Sequence, residues 1–357
     1  MTAALRALFV PFFYLIVSSF TLQSFLTHWG GKLASELSST LAFSEPRPYA
    51  YRVLSPLVVN GVTALLPQSW TSALLESWGH GVLGLAVSRA GCFGPPTFAF
   101  LVGTWWMLGG LWATALVWRA LVRWAFPGRA LLADAVPALG ILMLPATFTG
   151  GGFLYDFADL FFVSACFWAF VQSKWAVWYA LLPLAILNKE ASVLMVTWWL
   201  AVRGTTPKRA WLGHVTASSL LGGAVVAGLW WTFRARAGFL AQPNFLHNLR
   251  YWASFGWLFA SQDGFGTDVP LPVAFNVVNL AVLWSAWSLG RARAPQAVVS
   301  AFSWSALVVC PLLLLFGFEN EIRVFTVAMP SLLVIGAGAV DSLYGSPLPP
   351  GPPSIPA

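Results

Sequence analysis

The chain reads as an all-α, polytopic membrane protein, and three observations carry that reading. Apolar runs long enough to enter a bilayer recur along nearly the whole length. Charged residues make up only 9% of the chain, against roughly 25% in an ordinary soluble domain. The basic residues collect between the apolar runs, where orientation signals belong. A hydrophobic fraction of 58% and 28 Phe and 21 Trp suit a lipid-facing surface with aromatic belts. The mean hydropathy is +0.74.

The first expected span is Ala7–Leu26, behind a single Arg6. It is longer than a signal h-region and has no small-residue cleavage site, so it is expected to be retained. Residues 27–95 hold no clean span and form a long first outer loop. Its amphipathic pieces, Val53–Leu66 and Ser72–Val87, are expected to lie on the membrane surface, with a pair of re-entrant crossings as the alternative. Spans follow near Thr97–Trp118, Ala135–Thr147 (broken by Pro137 and Pro145) and Phe157–Val171. Trp175–Leu187 and Ala191–Ala201 are half-length, separated by Asn188-Lys189-Glu190. As helices they reach only about 18 Å, so they must be buried, tilted or open to a cavity. Trp211–Thr232, a second long outer loop over 233–270, and spans near Leu271–Leu289, Ala297–Phe316 and Val324–Val340 complete one membrane domain over 1–345. The Pro-rich tail, 346–357, is expected to be disordered.

Counting the half-length pair as two crossings gives about ten spans. Arg6, Arg119, Arg123, Arg129, Lys174, Arg203, Lys208, Arg209, Arg291 and Arg293 then share one side. The positive-inside rule makes that side, and both termini, cytoplasmic. Most acidic residues fall on the outer side, although Arg234, Arg236 and Arg250 join them there. The net charge of +7 comes without a basic stripe among exposed aromatics, so the expected partner is membrane lipid and not nucleic acid. Cys92, Cys166 and Cys310 are far apart and lack metal-ligand spacing.

Four outer-side clusters can carry chemistry. Asp156 and Asp159 stand three apart, on one helix face, at the mouth of an apolar segment after Gly150-Gly151-Gly152. They are either favourable acids in a first helical turn or a site for a substrate hydroxyl or a divalent cation such as Mg or Mn. Glu45, Arg47, Tyr51 and Arg52 share a proline-stiffened stretch. That stretch is either a solvated loop or an acid beside cations that grip a phosphate. Asn188, Lys189 and Glu190 break an apolar run, with Lys189 either neutralising Glu190 or holding a phosphate. Glu319, Glu321 and Arg323 sit at a span boundary, where one of the acids can pair with Arg323. Asp134 and His214 stand alone beside or inside spans and read as satisfied structural groups. There is no phosphate-binding glycine loop, no HExxH and no GxSxG.

Several phrases resemble the bacterial branch of the GT-C glycosyltransferase superfamily. They are Pro48-Tyr49-Ala50-Tyr51-Arg52-Val53-Leu54-Ser55-Pro56, Tyr155-Asp156 at a span start, Leu187-Asn188-Lys189-Glu190, and Glu321-Ile322-Arg323-Val324-Phe325. The resemblance implies a GT-C-like fold and transfer of a sugar from a polyprenyl-phosphate-linked donor to a lipid or glycan acceptor. The reaction would take place on the outer face of a membrane, in bacteria the cytoplasmic (inner) membrane. It gives Glu45 the role of base or metal partner, with Asp156 and Asp159 assisting. Arg47, Arg52, Lys189 and Arg323 would hold phosphate, supported by Tyr51, Tyr155, Asn188, Glu190, Glu319 and Glu321. The first loop departs from the family's commoner form in lacking an Asp-x-Asp or Glu-x-Asp pair. A transporter or lipid-carrier flippase with its site at 188–190, and a non-enzymatic assembly partner, are the alternatives.

Overall fold

The computed structural model describes residues 3–79, 97–147, 153–239, 243–263, 270–317 and 322–344. Among these residues the chain is helical apart from a small antiparallel ribbon, β1 (Ser261–Asp263) with β2 (Pro270–Pro272). Five helical stretches are long and apolar enough to cross a bilayer unaided: Leu5–Leu26, Phe98–Ala125, Lys208–Thr232, Gln296–Phe316 and Phe325–Leu343. The other apolar helices are shorter, because polar or proline-bearing breaks divide them.

Helix α1 (Ala3–Leu41) carries the first apolar stretch and continues well past it. The stretch that follows α1 then folds back onto the bundle. Helix α2 (Leu54–Leu65) packs on α1 and on α4 (Phe98–Ala125), burying Ser55, Pro56 and Val59. It thus rests against the bundle with one side covered, as an amphipathic helix does. Two of its polar side chains bond to neighbours: Asn60 Nδ2 donates to Leu41 O at 2.8 Å, and Ser55 Oγ donates to Asn188 Oδ1 at 2.6 Å. Helix α3 (Gln68–Gly79) follows, and the remainder of the second amphipathic piece lies outside the described residues.

Helix α5 (Ala130–Leu142) and the single turn α6 (Leu144–Thr147) form the expected proline-broken span. Helix α7 (Asp156–Val171) is the most enclosed element, with 14 of its 16 residues buried. It runs parallel to α4: the Gly110 α-carbon faces the Phe157 backbone, and Trp118 Nε1 donates to Ser164 Oγ at 2.8 Å. Gly110 is needed for that approach, since a Cβ would meet Phe157 O at 2.9 Å.

The half-length pair is a hairpin. Helix α8 (Trp175–Asn188) climbs for about 21 Å, and a 3-10 arm (Glu190–Val202) descends for about 26 Å. Neither limb reaches the roughly 30 Å of a hydrocarbon core. Their bases pack together through Trp178 against Trp198 and Trp199, at ring separations of 5.9 and 6.0 Å. At the tip, Lys189 is extended (φ −156°, ψ 117°), which ends the helix. A hairpin that enters and returns leaves the chain on the same side as two crossings would. Helix α9 (Lys208–Thr232) packs against both limbs.

The connection after α9 contains α10 (Phe245–Ala253), the 3-10 turn Gly256–Phe259 and the β ribbon. Helices α11 (Val277–Gly290) and α12 (Gln296–Phe316) precede a 3-10 segment (Ile322–Ala328) that leads into α13 (Met329–Leu343). Residues 345–357 lie outside the description, as do Glu319 and Glu321.

One end of the bundle is closed by two aspartates, each held by two arginines. Asp134 pairs with Arg6 and with Arg119 Nε at 2.8 Å, tying α1, α4 and α5 together. Asp341 takes Arg129 at 3.1 Å and Arg293 at 2.7 Å, tying the start of α5 and the end of α11 to α13. Asp134 therefore has the satisfied structural role that its isolation in the sequence implied. The match of two cations to one carboxylate leaves each clamp with a net positive charge.

Helices α11 and α13 touch backbone to backbone at Gly290, where a Cβ would overlap the Ile335 carbonyl and meet Ala339 N at 2.9 Å. Gly290→Ala is expected to lower stability by about 1–3 kcal/mol, the usual cost of overpacking. Gly223→Ala in α9, where nothing lies within 4 Å of the new Cβ, is expected to be silent. Melting temperatures of the two variants in detergent check the contrast.

Candidate active site

Away from the clamps, the start of α7 meets the tip of the hairpin. Asp156 and Asp159 occupy the first turn of α7, on one face, and are 1% and 2% exposed. Lys189 Nζ lies between them, 3.4 Å from Asp156 Oδ1 and 3.5 Å from Asp159 Oδ2. The other two carboxylate oxygens are also engaged. Phe153 N donates to Asp156 Oδ2 at 3.1 Å, and Ser192 Oγ donates to Asp159 Oδ1 at 2.6 Å. The pair thus works as a socket for an ammonium, and Lys189 is the plug that seats the hairpin on α7. Burying two carboxylates is tolerable only with such a partner.

A neutral network sits beside the charged one. Asn188 Nδ2 donates to Tyr155 O at 2.9 Å, Ser55 Oγ donates to Asn188 Oδ1 at 2.6 Å, and Trp106 Nε1 donates to Ser55 Oγ at 2.8 Å. Val53 N also caps the end of α8 through Leu187 O at 2.9 Å. Four elements (α2, α4, α7 and the hairpin) are fixed to one another through Asn188. Ser55, Ser192 and Trp106 were not singled out in the sequence. A lone hydroxyl or indole in an apolar helix has no local signature, and its partners lie 33 to 133 residues away.

Above the socket, the stretch 47–52 forms a polar roof. Arg52 donates through Nη1 to the Tyr155 hydroxyl, stacks on the Tyr155 and Tyr49 rings at 4.2 and 4.8 Å, and lies 3.8 Å from Glu190 Oε2. Tyr51 is fully buried against Leu229 and Phe233. Burial pushes its hydroxyl pKa up, and the charge of Arg47 opposes that shift. Arg47 binds the segment after α9: its N–H reaches Ala237 O at 2.8 Å and its Nη2 reaches Gly238 O at 2.7 Å. Gly238, at φ +100°, has no Cβ to collide with the Arg47 carbonyl.

The structure therefore gathers Arg52, Tyr155, Asp156, Asp159, Asn188, Lys189 and Glu190 at one place, with Tyr51 and Arg47 at its rim. Glu45 is held within its own loop instead, accepting from Thr40 Oγ1 at 2.5 Å and Ser39 Oγ at 3.3 Å. The 3-10 segment that contains Arg323 packs on α7, but the Arg323 side chain lies outside the description. Glu319 and Glu321 lie outside it as well. His214, the other isolated group, stacks on Trp199 and contacts the Tyr179 hydroxyl through Nδ1 at 2.8 Å.

Asp156 and Asp159 are the sequence's candidate ligands for Mg or Mn. As arranged, they do not fit a bridging metal, because Lys189 Nζ takes the position between them. Among the described residues no group of three or more metal-binding side chains forms a centre.

Between the socket and the clamped end, the space along α7 and the hairpin is filled by rings. Phe167 packs on Trp198 at 4.9 Å, and Phe170 on Trp199 at 5.2 Å and on Trp178 at 5.9 Å. All five side chains are buried. The polar groups accordingly face one side of the bundle. No protein-family model, curated protein or solved structure matches this chain.

Removing the plug tests the socket. Lys189→Ala strands two buried carboxylates and is expected to cost about 3–5 kcal/mol, the usual penalty for breaking a buried ion pair. Adding Asp159→Asn to that variant removes one stranded charge and is expected to restore part of the loss, as read by thermal denaturation in detergent.

Proposed function

We propose that this chain is a membrane glycosyltransferase that moves a sugar from a polyprenyl-phosphate-linked donor to a lipid or glycan acceptor, in a GT-C-like scaffold of about ten membrane-inserted segments. The observation that carries this proposal is the one-sided polar site. Carboxylates, an arginine and tyrosines meet at the tip of a half-length hairpin, and buried aromatic rings pack along the hairpin below it. The site end would be the outer face, and the arginine-clamped end, with both termini, the cytoplasmic face of a bacterial inner membrane.

A slab of about 30 Å drawn from the base of the hairpin puts its tip, about 21 Å up along α8, within the outer third of the bilayer. A lipid-borne phosphate reaches that depth without leaving the membrane, whereas a soluble nucleotide sugar would have to enter it. Charged groups at such a depth are costly and are kept for function or for pairing. Arg52 is the cation best placed for the phosphate. Its guanidinium is held over Tyr155, and such a planar fork suits a phosphate. Charge grows on the departing phosphate as the glycosidic bond breaks, so a cation fixed there lowers the barrier. Lys189, committed to both aspartates, would act by positioning the tip.

A transporter or flippase needs a polar route on both sides of its midplane site. The Phe167, Phe170, Trp178, Trp198 and Trp199 stack favours the enzyme, because opening a route along the hairpin would dismantle that packing.

The test is transfer from radiolabelled polyprenyl-phosphate sugars by the purified protein in lipid nanodiscs. Arg52→Ala is expected to lower kcat/KM by about 100-fold or more, in the range for losing one preorganised electrostatic partner of a transition state. Full transfer by that variant, or lipid counterflow without any covalent product, would contradict the proposal. Because Lys189 serves the aspartate pair, transfer is also expected to survive EDTA with less than twofold loss, a result checked in the same assay.

A further inference from the structure

The carboxylates in this site differ in what they have left to offer. All four oxygens of Asp156 and Asp159 already have a donor, and both side chains are buried. Glu190 differs on both counts. Its side chain is 24% exposed, and its Oε2 is buried with no hydrogen-bond partner among the described residues. The nearest cation is Arg52, whose Nε lies 3.8 Å away and is itself a buried donor without a partner.

Two more unspent groups belong to the same roof. Tyr51 OH and Arg47 Nε are buried without a hydrogen bond of good geometry; the Arg47 side chain stands at the Tyr51 hydroxyl, and the Glu190 charge also acts on it. A buried polar atom without a partner is expensive, by about 1–3 kcal/mol for a neutral group and more for a charged one. These four atoms are two guanidinium donors, a hydroxyl that can donate or accept, and one carboxylate acceptor. That set complements a ligand bearing an anionic group next to a hydroxyl. The two arginines and Glu190 together carry one positive charge, which matches a phosphodiester with a single negative charge.

We infer that Glu190 is the carboxylate that meets the substrate and accepts the acceptor's proton; this rests on the glycosyl-transfer reading above. In the step, the acceptor oxygen forms a bond to the anomeric carbon, and the bond from that carbon to the phosphate oxygen breaks. The electron pair leaves with the polyprenyl phosphate, which gains one negative charge beside Arg52. The acceptor's proton moves to Glu190 Oε2, so one charge is lost at the carboxylate as one is gained at the phosphate. Asp156 and Asp159 are then positioning residues. Through Lys189 they fix the hairpin tip whose next residue is Glu190.

Two measurements test this. The first needs no turnover. The full chain in nanodiscs is treated with dicyclohexylcarbodiimide, a membrane-soluble carboxyl reagent, and the labelled residues are mapped by mass spectrometry with and without a polyprenyl phosphate. Labelling is expected at Glu190, at least tenfold above Asp156 and Asp159, and is expected to fall when the lipid phosphate is present. Labelling of the aspartates with Glu190 unmodified would overturn the inference.

The second is transfer by Glu190→Gln and Glu190→Asp. The glutamine variant is expected to lose about 100-fold or more in kcat, in the range of general-base catalysis. Its donor KM is expected to stay within about threefold, and the acid limb of the kcat–pH profile is expected to disappear. The aspartate variant is expected to recover part of the rate and to restore that limb. If wild-type protein transfers sugar and Glu190→Gln does so within threefold of it, the base lies elsewhere while glycosyl transfer stands. If the wild-type protein transfers no sugar from any polyprenyl-phosphate donor, glycosyl transfer falls and takes the proton-accepting role of Glu190 with it.

Discussion

The contact on which the rest depends is the seat of Lys189 between Asp156 and Asp159. It joins the tip of a hairpin too short to span a bilayer to the first turn of the most buried helix. Without it, the tip of α8 and the 3-10 arm would keep only neutral hydrogen bonds and ring packing to fix its height and rotation. With it, the tip carries Asn188 into its hydrogen bonds with Ser55 and Tyr155, and Glu190 into reach of Arg52. Buried ion pairs are weak evidence of net stabilisation, since desolvation offsets much of the attraction. What this one supplies is registry. An ammonium in a socket of two carboxylates has one low-energy position, whereas an apolar tip would slide.

The two ends of the bundle use charge differently. At the clamped end each aspartate is saturated by two arginines, so every carboxylate is fully paired and holds helices together. At the site end the aspartates are satisfied, but the roof above them holds donors and one acceptor that are only loosely paired, Arg52 Nε lying 3.8 Å from Glu190 Oε2. The ring stack between the ends has no polar passage to offer, so the difference persists along the molecule. A one-sided site in a membrane-inserted bundle suits chemistry on a lipid-borne substrate better than passage across the bilayer.

Much of this was legible in the sequence for identifiable reasons. Asp156 and Asp159 share a face because they are three apart on a helix, and the helix begins where an apolar run begins. The break at Asn188-Lys189-Glu190 stands out because three polar residues interrupt a long apolar stretch. Other features had no local signal. Hydropathy is the same for a 3-10 arm as for an α-helix, so the geometry of Glu190–Val202 was hidden. The inward packing of α2 depends on Trp106 and Asn188, both distant in the chain. Glu45, prominent in its loop, is drawn aside by Ser39 and Thr40, whose hydroxyls are ordinary in a helix end. Asp341 drew no attention beside the tail, yet it closes one of the two clamps.

The most direct measurement of the central claim is a cryo-electron-microscopy map of the chain in nanodiscs with a bound polyprenyl phosphate. The account places the phosphate against Arg52, beneath the roof of residues 47–52 and beside Glu190, with Lys189 still seated between Asp156 and Asp159. A phosphate found among the arginine clamps at the opposite end, or a metal ion between the two aspartates with Lys189 swung away, would contradict it.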